Sequence, residues 1–292
     1  MTHFQDDVTR TRSPEDLSRW EKVSTLVMGV QFPRPLNGPA PNGVETVIVE
    51  SDEGILLEVW KMRHPVPRAR VLLFHGYGGF KSAMLGEARA LHDLGCTVWL
   101  VDFRAHGGSN GDVTSLGLQE ANDVAAVVRA AEAAVPGLPL VLHGQSMGAA
   151  AILRAIAHQG VQPDGIILEA CFDRLLSTVK NRFHAMGLPA FPLAHLLLFW
   201  GGMQVGSPVT GHNPVVDAAR FAGPALVLHG SRDPRATVAE GKNVFDALPG
   251  QKAWVEFETA GHESYVSHDR TRWTAAVDAF FTSMELHREP RL

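Results

Sequence analysis

The stretch LPLVLHGQSMGAAAILRAIAH, residues 138–158, decides the fold. Its first third, LPLVLHG, is a short apolar run typical of a buried strand, and the alanine-rich part from Met147 to His158 favours a helix. Between them, Gly144-Gln145-Ser146-Met147-Gly148 matches G-x-S-x-G, the pattern of a nucleophilic serine on a sharp turn between a strand and a helix. The glycines let the strand and helix approach closely. We therefore predict that Ser146 is a nucleophile; a helix N-cap serine is the alternative.

The same pattern occurs a second time, at Gly107-Gly108-Ser109-Asn110-Gly111. The residues that follow it are less suited to starting a helix than those after Ser146. Because the chemistry requires the serine to sit between a strand and a helix, the second match is not expected to be catalytic. We predict instead that Ser109 is a solvated turn residue.

Short strand-like runs recur on both sides of the opening stretch and alternate with segments of helical periodicity. Asp52-Glu53-Gly54 separates the first two runs and signals a hairpin. This alternation predicts an α/β protein with a mostly parallel, eight-stranded sheet flanked by helices, whose chemistry lies at the carboxyl ends of the strands. The predicted strands are VETVIVES (44–51), ILLEVWKMR (55–63), RVLLFHG (70–76), CTVWLVDF (96–103), LPLVLHG (138–144), GIILEA (165–170), PALVLHG (224–230) and KAWVEFE (252–258).

The N-terminal part of the chain predicts a helical arm and a linker. Ser13-Pro14-Glu15-Asp16 has an N-cap serine, a proline at the first helical position and an acid soon after. Apolar residues follow at helical spacing up to Val27. The linker, FPRPLNGPAPNG (32–43), is rich in proline and glycine.

Composition excludes several classes of protein. The 292 residues are 45% hydrophobic and 20% charged, which excludes a disordered chain. The net charge is −5 and no basic block is present, so we expect no nucleic-acid partner. Cys96 and Cys171 form neither a disulfide framework nor a metal-binding pair. Reduced thiols and an N-terminus without a secretory signal favour a cytoplasmic protein.

One stretch, from Phe183 to Val216, contains no charged residue and is therefore a candidate membrane span. Four prolines interrupt it, and its most apolar piece, LAHLLLFWGGMQVG, has 14 residues. A helix needs about 20 apolar residues to cross a bilayer, so we expect no stable membrane insertion.

A serine nucleophile needs a base, and the chain order typical of this kind of sheet is serine, acid, histidine. Three histidines lie late enough in the chain. His287 is in the charged tail and His268 precedes the C-terminal helix, whereas His262, in AGHE (260–263), lies just beyond the last strand. We predict that His262 is the base; a surface-loop histidine is the alternative.

The acid is expected at the end of a strand between the serine and the histidine. Asp233 fits, because HGSRDP (229–234) runs from a strand into a turn. A plain Asp-Pro turn is the alternative, and Glu169 or Asp173, one strand earlier, could supply the acid instead. Asp217 is expected to be a helix-surface carboxylate.

Two backbone amides are candidates for an oxyanion hole, which stabilises charge on the attacked carbonyl oxygen. One belongs to Met147, directly after the nucleophile and at the start of a helix. The second is expected in the glycine-rich loop HGYGG (75–79), where Tyr77 is the predicted donor. A phosphate-binding loop is disfavoured because the G-x-x-x-x-G-K-[ST] pattern is absent.

Five motifs, HGYGG (75–79), DFRAHGGS (102–109), GQSMG (144–148), HGSRDP (229–234) and AGHE (260–263), together resemble the α/β-hydrolase superfamily. More narrowly, the chain resembles its monoglyceride-lipase-like and serine-aminopeptidase-like branch, over about residues 44–287. The resemblance implies an α/β-hydrolase fold with Ser146, Asp233 and His262 as a triad and with Tyr77 and Met147 as oxyanion donors. It assigns no catalytic role to the DFRAHGGS turn.

The resemblance also implies a small helical cap inserted after the sixth strand. The chain then divides into an arm and linker (1–43), a first core part (44–170), the cap (171–212) and a second core part (213–292). A lid with apolar residues such as Leu197, Trp200 and Met203 would bind an apolar acyl group. The same residues could instead pack on the core or contact a lipid surface.

The sequence therefore predicts a serine hydrolase that cleaves a small-molecule carboxylic ester through an acyl-enzyme intermediate. An acyltransferase, or a hydrolase of amides, peptides or thioesters, would use the same triad. A non-catalytic ligand-binding relative is a further alternative. No cofactor or metal is expected, because the histidines are not at ligand spacing. The sequence does not indicate the oligomeric state.

Overall fold

The computed structural model describes residues 2–5, 30–185, 187–204, 206 and 209–286. The N-terminal helix predicted from Ser13 and the tail that contains His287 lie outside these residues.

Eight strands form one sheet in the order β11-β10-β9-β8-β5-β6-β4-β3. Neighbouring strands are parallel except for β3 with β4 and β4 with β6, which are antiparallel. The eight predicted strands and the mostly parallel sheet are thus confirmed. The strands are β3 (Glu45–Glu50), β4 (Leu56–Met62), β5 (Ala69–Phe74), β6 (Cys96–Val101), β8 (Leu140–Gln145), β9 (Gly165–Glu169), β10 (Ala225–Gly230) and β11 (Lys252–Phe257).

Helices cover both faces of this sheet. The helices are α1 (Leu85–Asp93), α2 (Glu120–Ala134), α3 (Met147–His158), α4 (Leu175–Ala185), α5 (Leu193–Gln204), α6 (Pro214–Ala218), α7 (Val238–Ala247), α8 (Tyr265–His268) and α9 (Arg270–Leu286). Side chains of α2, α3, α6 and α7 belong to one buried apolar cluster, and those of α1, α8 and α9 belong to a second. The sheet therefore lies between two helical layers.

The central strand β5 shows why its sequence is continuously apolar. Leu72 and Phe74 belong to the first cluster, whereas Val71 and Leu73 belong to the second. Successive side chains of a strand point to opposite faces, so a strand covered on both sides needs apolar residues at every position.

A second, three-stranded sheet was not predicted. It consists of β1 (Thr2–Gln5), β2 (Val30–Pro33) and β7 (Val113–Thr114), in the order β2-β1-β7. β2 includes the first two residues of the predicted linker, Phe32 and Pro33. Such short strands carry too little periodicity to be recognised in the sequence.

Of the three α-helices between β9 and β10 in the described chain, α4 and α5 lie within residues 171–212, where the sequence predicted an insertion, and α6 follows them. Helices α4 and α5 share a small apolar cluster, to which Leu175, Phe183 and Leu198 contribute. Large apolar side chains of the same segment remain exposed. Within the described residues, no helix combines the length and apolarity needed to span a bilayer.

Candidate active site

Ser146 occupies a strained turn between β8 and α3. Its φ is 51° and its ψ is −106°, an unusual conformation for a residue with a side chain. The backbone N–H of Ser146 donates to the Glu169 carbonyl at 2.8 Å, which fixes the turn to the neighbouring strand. Since the serine is 7% exposed, it lies in a recess rather than on an open surface.

The two glycines of this turn are required by its close packing. A Cβ on Gly148 would collide with the backbone of Phe74, and one on Gly144 would lie 2.5 Å from the backbone nitrogen of Ala149. Neither contact leaves room for a side chain. The sequence predicted this steric role for both glycines.

His262 and Asp233 form a hydrogen-bonded pair across two loops. Asp233 follows β10 and His262 follows β11, and the Nδ1 of His262 lies 2.6 Å from Oδ2 of Asp233. The Asp233 side chain is fully buried and that of His262 is 14% exposed. Such a contact orients an imidazole and leaves its other nitrogen, Nε2, available to a reacting group.

Asp233 is held in its ionised form by its surroundings. Its other oxygen, Oδ1, accepts hydrogen bonds from the backbone N–H groups of Arg235 at 2.8 Å and Ala236 at 3.0 Å. Burial opposes ionisation, but the hydrogen bonds and the charge of His262 outweigh it and lower the pKa of Asp233. A carboxylate of this kind can stabilise an imidazolium beside it.

The other acids proposed from the sequence have different partners. Glu169 accepts a hydrogen bond from Nε1 of Trp273 at 2.6 Å, and Asp173 accepts one from Asn243 at 3.0 Å. The expectation for Asp217 was wrong, because this carboxylate is buried and lies 2.9 Å from Nε2 of His158. The structure pairs His262 with Asp233 and with neither Glu169 nor Asp173.

Direct contacts join the three loops that carry Ser146, Asp233 and His262. The amide of Gln145, next to the serine, donates to the Glu263 carbonyl at 3.3 Å. The N–H of Arg232 donates to the Ala260 carbonyl at 2.9 Å. The pattern G-x-S-x-G leaves the identity of its second residue open, so the pattern does not indicate this contact of Gln145.

The glycine-rich loop after β5 runs beside the serine. A Cβ on Gly76 would lie 3.6 Å from the Cβ of Ser146, so the segment that carries Tyr77, the next residue, passes close to Ser146 in space. Met147 is the first residue of α3, and its N–H is therefore among those without a partner inside the helix. Both predicted oxyanion donors thus lie in segments that adjoin Ser146.

Comparison with known proteins identifies similar sequences and similar folds. The family described as serine aminopeptidase, S33, matches residues 65–196. The Pyrococcus furiosus esterase Pf2001 superposes with a TM-score of 0.71 at 21% identity, over 86% of this chain and 96% of the esterase. The chain has the α/β-hydrolase fold.

Two sequence relatives of this chain extend the comparison. The uncharacterized protein YqkD of Bacillus subtilis is 28% identical over 76% of this chain and 73% of its own. The uncharacterized protein Rv2307c of Mycobacterium tuberculosis is 26% identical over 85% of each chain. The family match and the esterase neighbour together support a hydrolase.

The second G-x-S-x-G of the chain is structural. Ser109 donates to the Asp102 carbonyl at 2.7 Å and accepts from the N–H of Glu58 at 2.9 Å. It is 2% exposed, so the expectation of a solvated turn residue was wrong. Lys81 is fully buried between the carboxylates of Asp102 and Glu58 and fastens the same turn.

The apolar residues predicted to bind substrate lie on α5. Leu197 is half-buried against the small cluster of the inserted helices. Trp200 and Met203 are 48% and 60% exposed. The buried face of α5 packs against the other inserted residues. Its exposed face presents large apolar side chains that are not packed into the core.

In the part of the chain that the structure describes, no three histidine, cysteine or carboxylate side chains form a cluster that could hold a metal ion.

Proposed function

We propose that this protein is a serine hydrolase that cleaves carboxylic esters through an acyl-enzyme intermediate. Ser146 attacks the ester carbonyl, His262 accepts its proton and Asp233 orients the imidazole. The backbone amides of Tyr77 and Met147 stabilise the oxyanion. The observation that carries this proposal is the 2.6 Å contact between His262 and Asp233, which adjoins a serine held at a strained turn.

The order of events follows from the roles of these groups. Proton transfer to Nε2 of His262 makes Ser146 nucleophilic while its oxygen forms a bond to the carbonyl carbon. The tetrahedral intermediate collapses, and the imidazolium returns the proton to the leaving alcohol. Water, deprotonated by His262, then attacks the acyl-enzyme and releases the carboxylic acid and free Ser146.

Residues 171–212 act in this proposal as a cap that binds the apolar part of the ester. Leu197, Trp200 and Met203 supply apolar surface on the helix α5. The absence of charged residues from Phe183 to Val216 supports an apolar acyl group rather than a charged one at this surface.

A fluorophosphonate probe tests the nucleophile, because it forms a covalent bond with an activated serine. The wild-type protein is expected to be labelled at Ser146 and to hydrolyse p-nitrophenyl esters. Ser146→Ala is expected to lose both properties. The matched control is Ser109→Ala, which removes the serine of the second G-x-S-x-G and is expected to keep the labelling.

The assignment fails if Ser146→Ala still hydrolyses the esters or is still labelled. Circular dichroism of both variants establishes that they are folded, so that a lost signal reports chemistry. Within the ester class, a series of acyl chain lengths tests the apolar cap: preference for acetyl over octanoyl esters would contradict it.

A further inference from the structure

The inserted helix α4 carries the guanidinium of Arg182. Arg182 donates through Nη1 to the Oγ1 of Thr178 at 2.8 Å and to the Thr178 carbonyl at 3.1 Å. Among the described residues, no carboxylate lies within ion-pair distance of Arg182. Since a guanidinium has five N–H donors in a fixed fork, most of its hydrogen-bonding capacity is unused by these contacts.

Hydrogen bonds connect this arginine to the loop that holds the proposed catalytic acid. The Oγ1 of Thr178 donates to the Arg235 carbonyl at 3.2 Å, and Asn181 donates to the same carbonyl, also at 3.2 Å. The N–H of Arg235 donates in turn to Asp233. Helix α4 is therefore docked on the acid loop, and Arg182 lies at that junction.

The guanidinium of Arg182 lies within electrostatic range of the acid loop, because the charge of Asp233 affects its pKa. Burial lowers the pKa of Arg182, and the positive charge of Arg235 adds to this effect. A poorly solvated cation with a second cation nearby favours the binding of an anion.

The charges of two carboxylates, Asp233 and Glu240, act on Arg182, and each of these carboxylates has hydrogen-bonding partners of its own. Asp233 is bound by His262 and by two backbone N–H groups. Oε2 of Glu240 accepts from Asn181 at 2.8 Å and from the N–H of Thr237 at 2.6 Å. Their charges act on Arg182 from a distance, and neither supplies a hydrogen-bonded counterion.

We propose that Arg182 binds an anionic group of the substrate, a carboxylate or a phosphate carried by the ester. This inference rests on the proposed function, since it assigns a specificity residue to the same site. It does not conflict with an apolar acyl group, because the anion and the apolar chain can belong to different parts of one ester. Arginine suits the task, since its planar fork can donate two parallel hydrogen bonds to either anion.

The test compares esters that differ only in charge. Mono-p-nitrophenyl glutarate and its methyl ester place a carboxylate, or none, in the acyl part. 4-Acetoxybenzoate and its methyl ester do the same in the alcohol part, and 4-acetoxyphenyl phosphate and its dimethyl ester test a phosphate there. For each pair, kcat and KM are measured with the wild type, Arg182→Met, Arg182→Lys and Lys180→Met.

The wild type is expected to favour the anionic ester of at least one pair, by about tenfold to a hundredfold in kcat/KM, mainly through KM. Arg182→Met should abolish this preference while changing hydrolysis of the neutral ester by less than about threefold, and Arg182→Lys should keep part of it. Lys180→Met removes a cation from another face of the same helix and should keep the preference.

Equal losses for charged and neutral esters in Arg182→Met would show a merely structural role and overturn the inference, as would a wild type that favours no anionic ester. Calorimetric titration of the same esters into Ser146→Ala measures binding without hydrolysis. If the wild type cleaves no ester, the proposed function fails, and these titrations still decide whether Arg182 binds the anion.

Discussion

Side chains at the carboxyl edge of the sheet and side chains on the inserted helices differ in hydrogen bonding and in exposure. At the sheet edge, polar groups have several partners: Asp233 is bound by His262 and by two backbone amides. In the insertion, the hydrogen bonds of the Arg182 side chain within the described residues go to Thr178, and Trp200 and Met203 are largely exposed. The difference indicates that the edge fixes reacting groups, while the insertion leaves surface free for a substrate.

The difference between the two regions is tested most directly at the carboxyl edge of the sheet. Asp233→Asn is expected to lower kcat by about 10³-fold to 10⁴-fold, because a neutral amide neither stabilises an imidazolium nor selects the required tautomer of His262. Ester hydrolysis by purified protein measures the effect. Asp173→Asn, which alters a carboxylate paired with Asn243, is the control and should lose less than tenfold. Similar losses in both variants would remove Asp233 from its proposed role.

The rigidity of the edge is tested by Gly148→Ala. The added methyl group would collide with the Phe74 backbone, which cannot move without disturbing the central strand. We expect the free energy of unfolding to fall by about 3 kcal/mol. At Gly38 no atom lies within 4 Å of an added Cβ, so Gly38→Ala should change it by less than about 0.5 kcal/mol. Urea unfolding followed by fluorescence measures both values, and equal stability of the two variants would contradict the packing argument.

The seam between the insertion and the core should be sensitive to acid. Burial, reinforced by the charge of Arg154, lowers the pKa of His212 to about 4, and its Nε2 lies 3.0 Å from the Leu116 carbonyl. In the unfolded chain a histidine titrates near about 6.5. The unfolded state therefore binds more protons between these values, and the free energy of unfolding falls as the pH decreases, by at most about 1.4 kcal/mol per pH unit for this group.

His106 adds to the dependence of the free energy of unfolding on pH. Burial is the main cause that lowers its pKa to about 3, and the neighbouring His75 contributes to the same shift. His212→Gln keeps an amide donor for the Leu116 carbonyl and removes one titrating group. Urea unfolding between pH 7 and pH 4.5 should therefore show a shallower decline in the variant. An unchanged slope would mean that His212 does not remain neutral in the folded protein.

The smallest expected effect lies on the exposed face of α5. Replacing Trp200 and Met203 together with serine should leave the free energy of unfolding within about 1 kcal/mol, because both side chains are largely exposed. If they bind the acyl chain, the preference for octanoyl over acetyl esters should fall by about tenfold. A ratio that does not change would restrict this face to a role outside acyl binding.

The sequence predicted the sheet well, because strands covered on both faces need apolar residues at every position, as β5 shows with Val71 to Phe74. It also predicted the steric role of Gly144 and Gly148, which follows from a turn between a strand and a helix. The predictions that Ser109 and Asp217 are exposed were wrong. Burial of a polar side chain depends on partners distant in the chain, here Asp102 and His158. The short strand β7 has too few residues to give a periodic pattern.

What the sequence determined by itself was local: the order of strands and helices, the sharp turn at Ser146 and the types of residue available for acid–base chemistry. Only the tertiary structure decided which carboxylate pairs with His262, because Asp233, Glu169 and Asp173 were alternatives until the loops after β10 and β11 came together. The position of Arg182 was equally hidden, since a helix pattern does not indicate which loop the helix contacts. Contacts between segments far apart in the chain are set by packing, and packing is a property of the folded molecule.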